Sequence, residues 1–140
     1  MISLNDYFGA KIANSEATEL MKMNAMNLLD HVNSLLDEAK AAGFYNDLID
    51  ADTGTQISGT KGGSGDGGFR LANSTTGAIG SQHRKARAVD VFDPNNDLDG
   101  WIHDAILIRH GLYREAPDAT PGWLHLQSVP PKSGRRTFNP

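Results

Sequence analysis

The sequence predicts an α+β fold, in which helices pack against a small, mostly antiparallel sheet. Three observations favour this class: a long amphipathic helix near the start, two short strands with alternating apolar residues, and a second helix between those strands. The 140 residues are enough to bury one core without disulfide or metal support. We therefore expect a single domain over residues 1–140.

The first element is an amphipathic helix over residues 15–42. Asn14 or Ser15 is predicted to cap its start, and Gly43 follows its end. Its apolar residues recur at steps of three and four, which places them on one face: Met21, Ala25, Leu28, Leu29, Val32, Leu35, Leu36 and Ala39. We interpret its methionines as core residues rather than as a ligand cluster: Met21, Met23 and Met26.

A glycine-rich region follows over residues 53–80, where nine of the fifteen glycines fall. Larger apolar residues recur within it, which is typical of long loops around short strands rather than of a linker. Further along, a second helix is predicted over residues 97–110, and Gly111 ends it. The predicted buried stripe of this helix consists of Leu98, Trp101, Ile102, Ala105 and Ile106.

Two short strands, over residues 88–92 and 123–127, carry one polar residue each between aliphatic neighbours. Alternation along a strand places the valines of the first strand on one face and Asp90 on the other. It likewise places the leucines of the second strand opposite His125. If the two aliphatic sets share one core, Asp90 and His125 point into the same cleft, and His83 can reach them from a loop.

Composition limits the chemistry that is available to this cleft. The sequence has no cysteine, so a metal here must use histidine, carboxylate and water. Two imidazoles and one carboxylate leave a zinc ion with an open position for water, which is typical of catalytic sites. The net charge of −4 argues against a nucleic-acid or anionic-membrane partner. The start of the sequence has no basic segment before an apolar run, so we expect synthesis in the cytoplasm without a signal peptide.

Residues 81–90 read S-Q-H-R-K-A-R-A-V-D. They resemble the S-x-H-x-x-G-x-A-x-D signature of peptidase family M15, which includes D-Ala-D-Ala carboxypeptidases and phage endolysins. Residues 123–125, W-L-H, resemble the family's second motif, in which an aromatic residue shortly precedes the last zinc ligand. Residues 58–61, S-G-T-K, resemble its S-G-Y-R element. The match covers residues 57–127, about half of the chain, and is most similar to the small phage-borne branch.

The resemblance implies a Hedgehog/DD-peptidase-like fold and hydrolysis of peptide bonds in the stem or crossbridge of peptidoglycan. It implies a zinc ion whose ligands are His83, Asp90 and His125. Ser81 becomes a substrate-contacting hydroxyl, and Lys61 takes the place of the arginine that faces the substrate's carboxylate. We expect such a protein to act as a monomer and to reach the cell wall after holin-type release or as part of a virion.

On this basis the chain divides into a helical part over 1–50, the glycine-rich loops over 53–80, a metal-site core over 81–127 and a polar tail over 128–140.

The sequence departs from the family's pattern at three places. Ala86 replaces a glycine, which is a mild change if φ is negative there. Lys61 lacks the bidentate fork of arginine, which Arg70 could supply instead. The family's general base, three or two residues before the last ligand, is replaced by Gly122 and Trp123.

We expect a carboxylate just upstream to serve as the base, with Asp118 preferred to Glu115, and Gln127 to orient the attacking water. The absent base also favours a second interpretation, a non-catalytic cell-wall-binding or virion module that keeps the fold.

Overall fold

The structure of the protein, a computed structural model, describes residues 1–59, 66–78 and 80–140. It confirms the α+β class. The helices are α1 (Leu4–Phe8), α2 (Glu19–Ala41), α3 (Asp97–Trp101) and α4 (Asp104–His110). The strands are β1 (Ala88–Phe92), β2 (Tyr113–Glu115), β3 (Trp123–Gln127) and β4 (Thr137–Phe138). Within the described ranges, every helix is too short or too polar to traverse a lipid bilayer.

The four strands form one mixed sheet in the order β1-β3-β2-β4. Strands β1 and β2 both pair antiparallel with β3, whereas β4 pairs parallel with β2. The bounds of β1 and β3 are those predicted from the alternating pattern. The interpretation of residues 128–140 as a polar tail was incomplete, because this segment supplies β4 and covers the edge of β2.

Helix α2 begins at Glu19, four residues later than predicted. Thr18 caps it, and its Oγ1 accepts a hydrogen bond of 3.3 Å from the backbone N–H of Met21. The predicted cap Asn14 instead closes a local turn, in which its Oδ1 accepts from the N–H of Glu16 at 2.9 Å. The predicted end is confirmed, since Gly43 adopts the left-handed φ of +86° just past the helix.

The hydrophobic core lies between α2 and the sheet. Seven α2 residues are buried there, and they share one cluster with the aliphatic residues of β1 and β3: Ala25, Leu28, Leu29, Val32, Leu35, Leu36 and Ala39. Met21 packs against this cluster. The prediction that Met23 and Met26 are core residues was wrong, because they are 65% and 53% exposed. Each lies two residues before a buried residue. A step of two residues turns about 200° around the helix, which places these methionines on the opposite face.

The predicted second helix is two helices, α3 and α4. The chain is extended at Ile102 and His103, which separate them. This break shifts the buried face, so that Leu107 is buried and Ala105 is exposed, contrary to the predicted stripe. The predicted stop is confirmed, because Gly111 caps α4 with a left-handed φ of +66°.

A buried polar network fixes α3 against the sheet. The two carboxylate oxygens of Asp93 accept hydrogen bonds from the N–H groups of Leu98 and Asp99, at 3.1 and 2.9 Å. Arg114 on β2 then donates from Nη1 to Oδ1 of Asp99 at 2.8 Å. The network thereby holds β2, and the residue that follows Arg114 on it, in a defined position.

Candidate metal centre

Asp90 on β1 and His125 on β3 are direct partners in the register of the sheet. Both lie on the face that is opposite the aliphatic core residues, as the alternation predicted. Oδ1 of Asp90 is 2.9 Å from Nδ1 of His125, and both residues are buried.

His83 reaches the same point from a single 3₁₀ turn, Gln82–Lys85. The hydroxyl of Ser81 caps this turn by accepting from the backbone N–H of His83 at 3.3 Å. Nε2 of His83 lies 3.3 Å from Nδ1 of His125 and 3.3 Å from Oδ1 of Asp90. The three side chains that the sequence predicted as metal ligands therefore converge on one point.

Ala86 ends this turn in the left-handed region, with φ of +55°. The condition under which alanine would be a mild replacement for glycine, a negative φ, is therefore not met. A non-glycine residue in this conformation costs about 1–2 kcal/mol, because its Cβ crowds the following carbonyl oxygen. The strained residue lies three positions after His83, at the end of the turn that orients this imidazole.

The three inward-facing atoms are spaced as a small divalent ion requires. Their separations are 2.9, 3.3 and 3.3 Å. Ligands about 2.0–2.1 Å from a tetrahedral zinc ion are about 3.3 Å from one another. Among the described residues, this is the group of histidines and carboxylates that could hold a metal ion, and all three members are buried.

The outward nitrogen of each imidazole is also held. Nδ1 of His83 donates to the carbonyl oxygen of Gly68 at 2.9 Å, and Nε2 of His125 donates to Oε1 of Gln127 at 2.9 Å. Such hydrogen bonds fix the ring orientation and leave the opposite nitrogen to face a metal. The side-chain amide of Gln127 is itself held, since Nε2 donates to the carbonyl of Val129 at 2.9 Å. The structure therefore gives Gln127 a hydrogen-bonding role toward His125, and its contact with water stays a prediction.

The charges of the triad suit metal binding. Burial alone raises the pKa of Asp90, but the neighbouring His83 and His125 outweigh burial and hold this pKa far below its usual range. Burial lowers the pKa of His83, which favours its neutral imidazole. Burial acts in the same direction on His125, but the hydrogen bond and charge of Asp90, together with Glu115 and Gln127, outweigh it and raise the pKa of this imidazole. Metal binding here would compete with protonation of the imidazoles.

Two glycines of the loop region, Gly67 and Gly68, pass so close to other backbone that no side chain fits. A Cβ on Gly68 would lie 2.1 Å from the carbonyl oxygen of Tyr7, and a Cβ on Gly67 would lie 2.1 Å from that of Ser58. The carbonyl of Gly67 accepts from the N–H of Asp90 at 2.7 Å, while that of Gly68 holds His83. Sequence reasoning missed this role, although the adjacent glycine pair was a visible signal.

Arg70 lies at the wall of the cleft, against Asp90 of the convergent triad. Its side chain is 8% exposed. Nε donates to the carbonyl of Asp66 at 2.7 Å, Nη2 to Oδ2 of Asp90 at 3.4 Å, and Nη1 to the hydroxyl of Ser81 at 3.5 Å. Its fork, which the sequence suggested for the substrate, is used to orient the second oxygen of Asp90. The other predicted cation, Lys61, lies outside the described residues.

A cavity of about 680 Å³ opens over the triad. Ser81 lines it, as does Glu115, whose Oε1 is 3.8 Å from Nδ1 of His125. Asp118 is exposed and does not line this cavity, because Pro117–Ala119 form a 3₁₀ turn that carries it away after β2. Of the two carboxylates predicted as the base, the structure brings Glu115 to the metal centre and leaves Asp118 at the surface.

Comparison of the chain with models of protein families, with curated proteins and with solved structures found no match. The relation to peptidase family M15 therefore stays a prediction from the motifs. The chemistry of the site rests on its own geometry.

Proposed function

We propose that the protein is a zinc-dependent peptidase that hydrolyses peptide bonds of bacterial peptidoglycan. Under this proposal the α+β domain is a Hedgehog/DD-peptidase-like fold of the phage-borne branch of peptidase family M15. The observation that carries the proposal is the convergence of His83, Asp90 and His125 on one point, at spacings that suit zinc, under an open cavity.

The donor set argues for a catalytic ion rather than a structural one. Structural zinc ions are held by four protein ligands, whereas catalytic zinc ions usually have three and keep one position open. Here the described residues supply three donors beneath a cavity. A zinc ion in such a site supplies a Lewis acid and a water of lowered pKa.

Three residues of the chain have the other roles that the reaction needs. Glu115 stands beside the triad in the cavity, where its carboxylate can accept a proton from the attacking water and pass it to the leaving amine. General base catalysis of this kind contributes about 10²–10⁴-fold in rate. Ser81 presents a hydroxyl to the same cavity for contact with the peptide. Arg70 keeps Asp90 in its ligating orientation.

The size of the cleft supports a short peptide as the substrate. Small-ligand sites usually enclose about 300–1,000 Å³, and this cavity of about 680 Å³ falls in that range. The mixture of Trp123, Phe138 and polar groups along its walls suits a peptide with both apolar and charged parts.

The second candidate function is a non-catalytic cell-wall-binding module. It is favoured by one observation, the glycine at position 122 where the related motif carries an acidic residue. The two candidates share the metal and differ in turnover.

One experiment separates them. The purified protein is stripped with a chelator, reloaded with zinc and incubated with purified peptidoglycan, and released amino groups are measured. We expect about one zinc ion per chain and release that the chelator abolishes. His125→Ala should lose both, whereas His103→Ala, at an exposed histidine, should keep both. Tight zinc binding by the wild type without release would favour the binding module, and absence of zinc binding would contradict both candidates.

A further inference from the structure

We infer that the segment over residues 129–140 is a built wall of the metal-centre cavity, and that Lys132 in this wall binds a free carboxylate of the peptide ligand. The inference rests on the proposed function only in taking a peptide as the ligand. It assigns a substrate-binding group to a segment that the sequence suggested was a polar tail.

The segment is anchored at its beginning. Immediately after β3, Nε2 of Gln127 donates to the carbonyl of Val129 at 2.9 Å. Two prolines follow, each with a restricted φ. A turn then closes where the N–H of Gly134 donates to the carbonyl of Pro131 at 3.0 Å, with Gly134 in the left-handed region at φ of +72°. Lys132 lies inside this closed turn.

The segment is anchored again at its end by β4. The N–H groups of Arg114 and Ala116 donate to the carbonyls of Arg136 and Phe138, both at 2.7 Å. The Phe138 ring stands edge-on to the imidazole of His125, with ring centroids 6.3 Å apart and planes at 87°. The wall that carries Lys132 is therefore fixed on both sides, and its far side touches a metal ligand.

Lys132 is the available positive charge among the described residues that line the cavity. The other charged side chains there, apart from the histidines, are Arg70, Asp90 and Glu115. Arg70 is already bonded to protein atoms at all three guanidinium nitrogens. Lys132 is exposed and forms no ion pair with the described part of the chain.

The charges that line the cavity favour a ligand with a negatively charged group. A lysine ammonium is a compact point charge that pairs with carboxylates. A negative group on the ligand is attracted to Lys132 and repelled by the carboxylate of Glu115, so the two charges orient a peptide in the cleft. A peptide with a free C-terminal carboxylate fits this arrangement, whereas its C-terminal amide lacks the charge that would pair with Lys132.

The test measures binding rather than turnover. Calorimetry on the zinc-loaded protein compares diacetyl-L-Lys-D-Ala-D-Ala with the C-terminal amide of the same peptide. We expect Lys132→Gln to weaken binding of the acid by about threefold to tenfold, and to leave binding of the amide unchanged. Arg135→Gln is the matched control, because Arg135 is an exposed cation of the same segment that does not line the cavity. Lys61→Gln is measured in parallel, because the family resemblance gave the carboxylate contact to that residue.

Each other outcome overturns the inference. Equal losses for acid and amide would show a structural effect of Lys132, and a loss confined to Lys61→Gln would assign the carboxylate to that residue. No change with Lys132→Gln, or no binding of either peptide by the wild type, would also contradict it.

Turnover of the same peptides, measured in parallel, separates this inference from the proposed function. Selective loss of acid binding in a wild-type protein that cleaves nothing would support the carboxylate site and contradict the peptidase. If Lys132→Gln left both cleavage and binding of the acid unchanged, the result would support the peptidase and contradict the carboxylate site.

Discussion

Asp90 and His125 are direct cross-strand partners, with Oδ1 and Nδ1 2.9 Å apart on the face of the sheet that is turned away from the aliphatic core. Because side chains alternate along a strand, a slip of one residue in this pairing would send one of the two groups into the core. Burial of Val89, Val91, Leu124 and Leu126 thus fixes the register, and the register places Asp90 and His125 on the face of the candidate metal site.

Glu115 should act as the general base and Asp118 should not. We expect Glu115→Gln to lower kcat on peptidoglycan peptides by about 10²–10⁴-fold, because the amide keeps the shape but accepts no proton. The zinc content should stay unchanged, since Glu115 is not one of the three convergent donors. Asp118→Asn, at an exposed carboxylate outside the cavity, is the matched control and should keep kcat. A larger loss of kcat from Asp118→Asn would instead support Asp118 as the base, as the sequence predicted.

Arg70 should be a positioning residue for the metal. We expect Arg70→Lys to lower zinc affinity by about 10–100-fold, because the hydrogen bond to Oδ2 of Asp90 depends on the guanidinium fork. Competition with a chromogenic chelator measures the affinity. The control is Arg109→Lys, which alters a surface pair with Glu38. An unchanged zinc affinity with a raised KM would show instead that Arg70 contacts the substrate.

Gly68 should tolerate no side chain. We expect Gly68→Ala to lower the free energy of unfolding of the metal-free protein by about 3 kcal/mol, because its Cβ would lie 2.1 Å from the carbonyl oxygen of Tyr7. Gly100→Ala is the contrast, since a Cβ there meets nothing within 4 Å and α3 gains helix propensity. It should raise stability by about 0.5–1 kcal/mol. Denaturant unfolding checks both, and equal effects would contradict the close approach at Gly68.

Asp66 should make stability depend on pH in the acid range. Burial alone raises its pKa, but hydrogen bonds from Lys11 and Thr76 outweigh burial and lower it. A lowered folded-state pKa stabilises the protein above the unfolded value of about 3.9, and this stabilisation is lost as pH falls below it.

We therefore expect Asp66→Asn to cost about 2 kcal/mol at pH 7 and progressively less below pH of about 4. Unfolding of both proteins across pH measures this difference. Asp30→Asn, at an exposed position on α2, should show no such trend. A gap between wild type and Asp66→Asn that is constant with pH would contradict the ionised pair.

Local patterns in the sequence predicted two of the four described strands and the facing pair. Alternation over residues 88–92 and 123–127 was sufficient for Asp90 and His125, because it directly encodes which face each side chain occupies. The long helix followed from its periodicity in the same way. The strand pattern only allowed His83 to reach this pair from a loop, and the family motif was needed to select it, since a residue in a 3₁₀ turn has no periodic signature.

The remainder of the site depends on contacts between distant segments. Gly68 is restricted by Tyr7, which lies far from it in sequence, and no local pattern contains that information. Asp118 and Glu115 are three residues apart, and only the turn at Pro117 decides which one faces the metal. Phe138 belongs to a strand of two residues, which is too short for alternation to reveal.

The order of strands in the sheet has a consequence for synthesis. Strand β3 is central, with β1 on one side and β2 on the other, but it follows both in the chain. A nascent chain that ends before residue 123 has two strands with nothing to join them and lacks the final imidazole. The three convergent side chains therefore come together only after β3 has left the ribosome, so a product truncated before residue 123 carries no assembled site.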